Sequence, residues 1–151
     1  MLFAADAGNK DPVETFEFLE GHFSRHEDEE VRMSPVLQDF ARNLVEAVSR
    51  DRDEIDRLIA RVSRNWKLHR INRVDRNILR MAIAELVNFP ETPGKVVLDE
   101  AIEIGKKFGA ENSGAFVNGI LDRIHALEDR SVPTHTLQEL LASLDEPRPT
   151  S

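Results

Sequence analysis

Residues 74–86 read VDRNILRMAIAEL, and in them Val74, Ile78, Leu79, Ala82, Ile83 and Leu86 fall at helical spacing over an unusually wide arc. A helix apolar over so much of its circumference has to be surrounded by other elements, so this stretch is expected to be central and well buried. Directly after it, Phe89-Pro90-Glu91-Thr92-Pro93-Gly94 places two prolines and a glycine in six residues. Proline cannot continue a helix and restrains the residue before it, which makes this segment a loop that splits the chain into two subdomains. Upstream, around Trp66 to Ile71, the periodic pattern loosens.

Working outward, the period stays helical and no clean alternation of apolar and polar residues suggests a strand. Asp11-Pro12 reads as an N-cap followed by proline at the first helical position, with Val13, Phe16, Leu19 and Phe23 as its apolar stripe. Ser34-Pro35 repeats that signal ahead of Val36, Leu37, Phe40, Leu44, Val45 and Val48, and Asp51 opens a third helix carrying Ile55, Leu58, Ile59 and Val62. Beyond the loop, Val97, Leu98, Ala101, Ile104 and Phe108 form a helix that Gly109 is expected to end in a left-handed conformation. Asn112 or Ser113 caps the next, which carries Phe116, Val117, Ile120, Leu121, Ile124 and Leu127, and a close helix contact would explain Gly119 inside it. Thr136-Leu137-Gln138-Glu139 is a capping-box pattern opening a short, loosely docked helix with Leu140, Leu141 and Leu144.

The chain has 151 residues, 40% hydrophobic and 32% charged, and carries seven glycines and seven prolines, which describes an ordinary globular domain. With no cysteine it can form no disulfide, thiolate metal site or thiol nucleophile, and a reducing cytoplasm is the expected location. No apolar run approaches the roughly 20 residues that cross a bilayer, so no membrane association is expected. The net charge of −8 would by itself disfavour a polyanion partner, but the charge is polarised. Residues 61–80 hold Arg61, Arg64, Lys67, Arg70, Arg73, Arg76 and Arg80 against Asp75 alone, an excess of six positive charges. Residues 11–30 carry eight acids against Arg25. Arginines three apart smear around a continuous helix, but a break near Trp66 would gather them at one corner as an anion-binding surface.

Chemistry of other kinds is poorly represented. His22 and His26 have a spacing that suits a divalent metal, but no third ligand is placed by the sequence, and a solvated acidic helix end accounts for them. Glycines at 105, 109, 114 and 119 follow no predicted strand and precede no GK[ST], so no nucleotide fingerprint is met. Asp99, Glu100 and Glu103 read as first-turn complement to the helix dipole and as surface charge. No nucleophile elbow is present, and neither an enzyme nor a cofactor or metal site is expected.

Trp66-Lys67-Leu68-His69-Arg70-Ile71, then Val74-Asp75-Arg76-Asn77-Ile78-Leu79-Arg80, then Phe116-Val117-Asn118-Gly119-Ile120-Leu121-Asp122 occur in that order and together strongly resemble the NusB family. Between them, residues 93–101 (PGKVVLDEA) and 104–109 (IGKKFG) are similar to that family's P-x-x-V-x-x-N-E-A-x-x-L-A-K-x-Y/F-G segment. The resemblance covers roughly residues 1–127, and its most specific piece is FVNGxLD over 116–122. It implies an all-α fold of two small bundles with about seven helices, subdomains near 1–65 and 66–127, and a C-terminal tail over 128–151 with a short helix. It further implies a factor in transcription antitermination, cytoplasmic and without catalysis. Such a factor pairs with the ribosomal small-subunit protein NusE, and the pair holds the boxA element of nascent RNA, notably from ribosomal RNA operons, alongside RNA polymerase and other Nus factors.

Carried over residue by residue, the resemblance implies that Phe116 and Asn118 lie near RNA with the loop before them, including Asn112, where many relatives carry an acid. Arg70, Arg73 and Arg76 supply the charge. Phe116 also admits plain core packing. Asp75 and Phe3 match an acid and an aromatic that face NusE; a first-turn helix acid and a buried ring are the alternatives. The family usually opens with an arginine-rich R-x-x-A-R-E-x-A-x-Q segment, whereas this sequence starts at Met1-Leu2-Phe3, inside that pattern. A start codon assigned too late is the preferred expectation, and genuine loss of the basic half of the first helix the other. Two further readings stay open: an accessory domain like that of ribosomal RNA cytosine methyltransferases, and a homodimeric module that binds only protein.

Overall fold

In the computed structural model, residues 34–64, 68–127 and 136–145 are described, and every regular element among them is helical. These are α1 (Pro35–Val62), a 3-10 turn (Leu68–Arg70), α2 (Arg73–Asn88), α3 (Gly94–Phe108), α4 (Ser113–Leu127) and α5 (Leu137–Asp145). The all-α expectation is met. The helix expected from Asp11-Pro12 lies outside the described residues, as do Phe3, His22 and His26.

The chain divides within α1 into two compact units, Met1–Arg50 and Asp51–Ser151. In the first, α1 begins as the Ser34-Pro35 signal predicts: the Leu37 N–H donates to Ser34 Oγ at 3.3 Å and the Gln38 N–H to the Ser34 carbonyl at 2.9 Å. The third helix expected at Asp51 does not exist as a separate element, because α1 runs on to Val62. Nothing in Ser49-Arg50-Asp51-Arg52-Asp53 breaks a helix, and Val45, Val48, Ile55, Ile59 and Val62, all buried, hold one stripe through it. The polar stretch is the solvated side of a continuous helix and marks no boundary.

The second unit is built around α2 as the wide apolar arc predicts: Ile78, Leu79, Ala82, Ile83 and Ala84 are buried. It packs against both α3 and α4, which pair most extensively with each other, and α5 adds to α4. The helix also buries Asp75, Asn77 and Arg80. Arg80 is 4% exposed; its Nε and Nη2 donate to the two carboxylate oxygens of Asp56 at 2.7 and 2.9 Å, and Nη1 donates to Asn77 Oδ1 at 3.0 Å. One of the seven cations counted between 61 and 80 is therefore internal, ties α2 to α1 and contributes nothing to a surface.

α3 starts earlier than its apolar residues suggest, at Gly94, directly after Pro93. Asp99, Glu100 and Glu103 consequently lie past the first turn, which holds no acid, and the dipole-complement reading fails. Gly109 does end the helix, but at φ −90° and ψ −170° it is extended rather than left-handed. Its glycine is required by sterics instead: a Cβ would collide with the Ser113 side chain and stand 2.6 Å from the Gly105 carbonyl. The close helix crossing is likewise elsewhere than expected. A Cβ at Gly105 would stand 3.4 Å from the Gly114 backbone, whereas one at Gly119 meets none of the described residues within 4 Å.

The Thr136 capping box forms reciprocally, with the Thr136 N–H donating to Glu139 Oε2 at 2.8 Å and the Glu139 N–H to Thr136 Oγ1 at 3.2 Å. Leu137 and Leu140 behind it are buried, so this helix is docked more firmly than its sequence suggests.

Glu85 on α2 supplies a pH dependence. Partial burial raises its pKa above the ordinary 4.5, and the Glu100 carboxylate of α3 adds to the effect. A carboxyl whose pKa is higher folded than unfolded favours folding fully below its unfolded value, and that contribution disappears as pH rises through the folded value. Glu85→Gln is therefore expected to melt higher than the parent at pH 7 to 8, with the gap closing as pH falls towards 4.5. Paired melting curves across that range check the sign; a gap that widens in acid would contradict it.

Candidate functional site

A pocket of about 250 Å³ opens in the second unit between two short connections. One wall runs from the end of the 3-10 turn into the first turn of α2: Arg70, Ile71, Asn72 and Asp75. The other is the α3–α4 connection with the first turn of α4: Ala110, Asn112, Ser113 and Phe116.

Each wall is held by local hydrogen bonds. Asn72 caps α2, its Oδ1 accepting from the Asp75 N–H at 2.9 Å while its Nδ2 donates to Asp75 Oδ2 at 3.0 Å. The sequence carries this signal as Asn-x-x-Asp over 72–75, one residue ahead of the helix start that the apolar spacing from Val74 suggests. Opposite, the Ala110 N–H donates to Ser113 Oγ at 2.8 Å, and the Ser113 N–H donates back to the Ala110 carbonyl at 3.0 Å. The Phe116 N–H then donates to the Asn112 carbonyl at 3.0 Å, so Asn112 occupies the cap position of α4 as one of the two expected candidates. The Gly105–Gly114 crossing brings α4 close to α3 and, with the tight Gly109 turn, aims Asn112 and Phe116 at the pocket.

The electrostatics of the pocket are mixed. Arg70 is exposed at it, Phe116 is half-buried and Asn112 is exposed. Asp75 is only 5% exposed, and its Oδ1 is buried with no hydrogen-bond partner, whereas Oδ2 is engaged by Asn72. A buried carboxylate oxygen left alone costs on the order of 1–3 kcal/mol, so a donor or cation entering the pocket would be favoured there.

Four of the expected residues, Arg70, Asp75, Asn112 and Phe116, thus come together although two segments far apart in sequence supply them. Three do not line the pocket. Arg73 is exposed at the start of α2, Arg76 is half-buried one turn later, and Asn118 is exposed on α4, about 200° around the helix from Phe116. A helix break does interrupt the basic stretch, since α1 ends at Val62 and the 3-10 turn precedes α2, but Arg70 is the only arginine of that stretch that lines this pocket. Ile71 and Asn72 are not among the expected site residues, and Ala110 and Ser113 are expected only as part of the loop before Phe116; Asn72 carries its own sequence signal as the Asn-x-x-Asp cap, and Ser113 carries one as a cap candidate. No group of three metal-binding side chains occurs among the described residues, and no described helix is long and apolar enough to cross a membrane.

A sequence profile described as the NusB family matches residues 1–126. Transcription antitermination protein NusB of Myxococcus xanthus is 53% identical over 110 residues, covering 73% of this chain and 78% of that one. The protein of the same name from Desulforapulum autotrophicum is 43% identical over 127 residues, covering 84% and 83%. Among solved structures, T. maritima NusB is similar with a TM-score of 0.59 and 43% identity, covering 72% of this chain and 82% of the other.

Proposed function

The chain belongs to the NusB family, and on that premise we propose that it is a cytoplasmic transcription antitermination factor that, with ribosomal protein NusE, holds the boxA element of nascent RNA, notably from ribosomal RNA operons. The observation that carries this reading is the meeting of Arg70, Asn112 and Phe116 around one pocket. Single-stranded RNA is held by cations on its phosphates, flat side chains under its bases and polar groups at base edges, and these three residues are one of each kind. Asn112 in place of the acid common in relatives removes a negative charge beside phosphate, which favours binding. Arg73, Arg76 and Asn118 would meet the strand outside the pocket.

Asp75 has a different task. A buried carboxylate with one unengaged oxygen repels phosphate and attracts a cation, so it suits a lysine or arginine of NusE better than RNA. Phe3, outside the described residues, is a second proposed NusE contact on the family resemblance alone. Binding and positioning suffice for antitermination of this kind, and no chemical step is assigned to the chain. Association with RNA polymerase and other Nus factors would follow from the RNA and NusE contacts.

Fluorescence anisotropy of labelled boxA RNA and a scrambled control, at one stated salt concentration and with or without NusE, tests the reading. Selective binding that tightens with NusE is expected, and Asp75→Asn should diminish the NusE effect without weakening the binding of RNA by the chain alone. Equal binding of both RNAs in the presence of NusE would overturn it.

A further inference from the structure

Phe116 lines a second pocket, of about 190 Å³, on its other side, formed with Arg64, Gly119, Ile120 and Arg123 among others. Gly119 is the anomaly there. It is exposed in the interior of α4, its backbone lies in the ordinary range, and an added Cβ would meet none of the described residues within 4 Å. Glycine in a helix interior is destabilising relative to alanine, and no described residue packs against this one to offset that cost. Glycine also serves where another backbone or a ligand comes close, and no described part of the chain comes close here.

The charge around it points to an anion. Arg123 is exposed, and its Nη1 donates to the Val62 carbonyl at 3.1 Å, which anchors the guanidinium and satisfies one of the carbonyls at the negative end of α1. Arg64, just past that end, is exposed and adds a second cation.

We propose that this second pocket seats the sugar-phosphate of the next nucleotide of the same single-stranded RNA, with Arg64 and Arg123 on the phosphate and the bare surface at Gly119 letting the strand lie against α4. The strand would then cross α4 over Phe116, from the Arg70–Asn112 side to the Arg64–Arg123 side. This subsite rests on the proposed RNA-binding function.

The test uses the full chain with NusE and a fluorescein-labelled single-stranded boxA RNA. Gly119→Ala should raise the melting temperature by about 2–4 °C, since it removes only the helix penalty, yet weaken RNA binding about tenfold. A merely structural glycine cannot produce those opposite signs. Arg64→Gln should reduce the slope of log affinity against log salt by about 0.7, as loss of one phosphate contact on a single strand does. If the parent binds and Arg70→Gln weakens it, but Gly119→Ala and Arg64→Gln bind like the parent with an unchanged slope, the second subsite is wrong and the first pocket stands. If the parent does not bind this RNA at all, both readings fall.

Discussion

Replacing Arg80 with Ala is expected to cost about 3 kcal/mol of stability, the largest single-site loss among the polar residues described. The side chain is 5% exposed and satisfies both oxygens of Asp56 together with Asn77 Oδ1. Its removal strands a carboxylate that is itself only 19% exposed and leaves a void where the guanidinium lay. The pair is weak evidence for stability as a pair, because desolvating two charges consumes much of their attraction. The double substitution Asp56→Leu with Arg80→Met should therefore be far less damaging than Arg80→Ala alone. Urea unfolding with a common m-value measures both. A loss below about 1 kcal/mol for Arg80→Ala would mean that solvent reaches Asp56 easily and the network does not tie α2 to α1.

The second large effect concerns Phe116, whose ring is half-buried between the two pockets. Phe116→Leu keeps an apolar side chain and should change stability by under about 1.5 kcal/mol. It removes the flat face, and since a stacked base is worth about 1–3 kcal/mol, RNA affinity should fall by between about fivefold and about 150-fold. Phe116→Tyr should retain most of the binding. Anisotropy titrations read against melting curves separate the roles: an unchanged affinity in Phe116→Leu would make the ring a packing residue and nothing more.

How much of this could be read from the chain differs by level. The helices, the central place of α2, the Ser34 and Thr136 starts and the loop after Phe89 all follow from period, caps and proline, because these signals act over a few residues. The departures share a cause. Asp51 looks like a cap, but a cap residue inside a run without glycine or proline stays helical when the apolar stripe continues beyond it. Gly109 and Gly119 suggest the common uses of glycine, whereas collision with Ser113 and an empty surrounding are facts about neighbours in space.

The same division applies to the site. Residue types and motif order sufficed for family, fold class and a basic stretch out of keeping with an acidic chain, since composition and local spacing are properties of a string. Which of those cations are surface and which internal was invisible, because Arg80 and Arg76 look alike until Asp56 is found 24 residues away against one of them. Nor could spacing announce that Asp75, which keeps an unengaged oxygen, lines one pocket with Arg70 and Asn112. Solvation, pairing and concavity depend on which distant segments the core brings into contact, and only packing of α2 against α3 and α4 sets that.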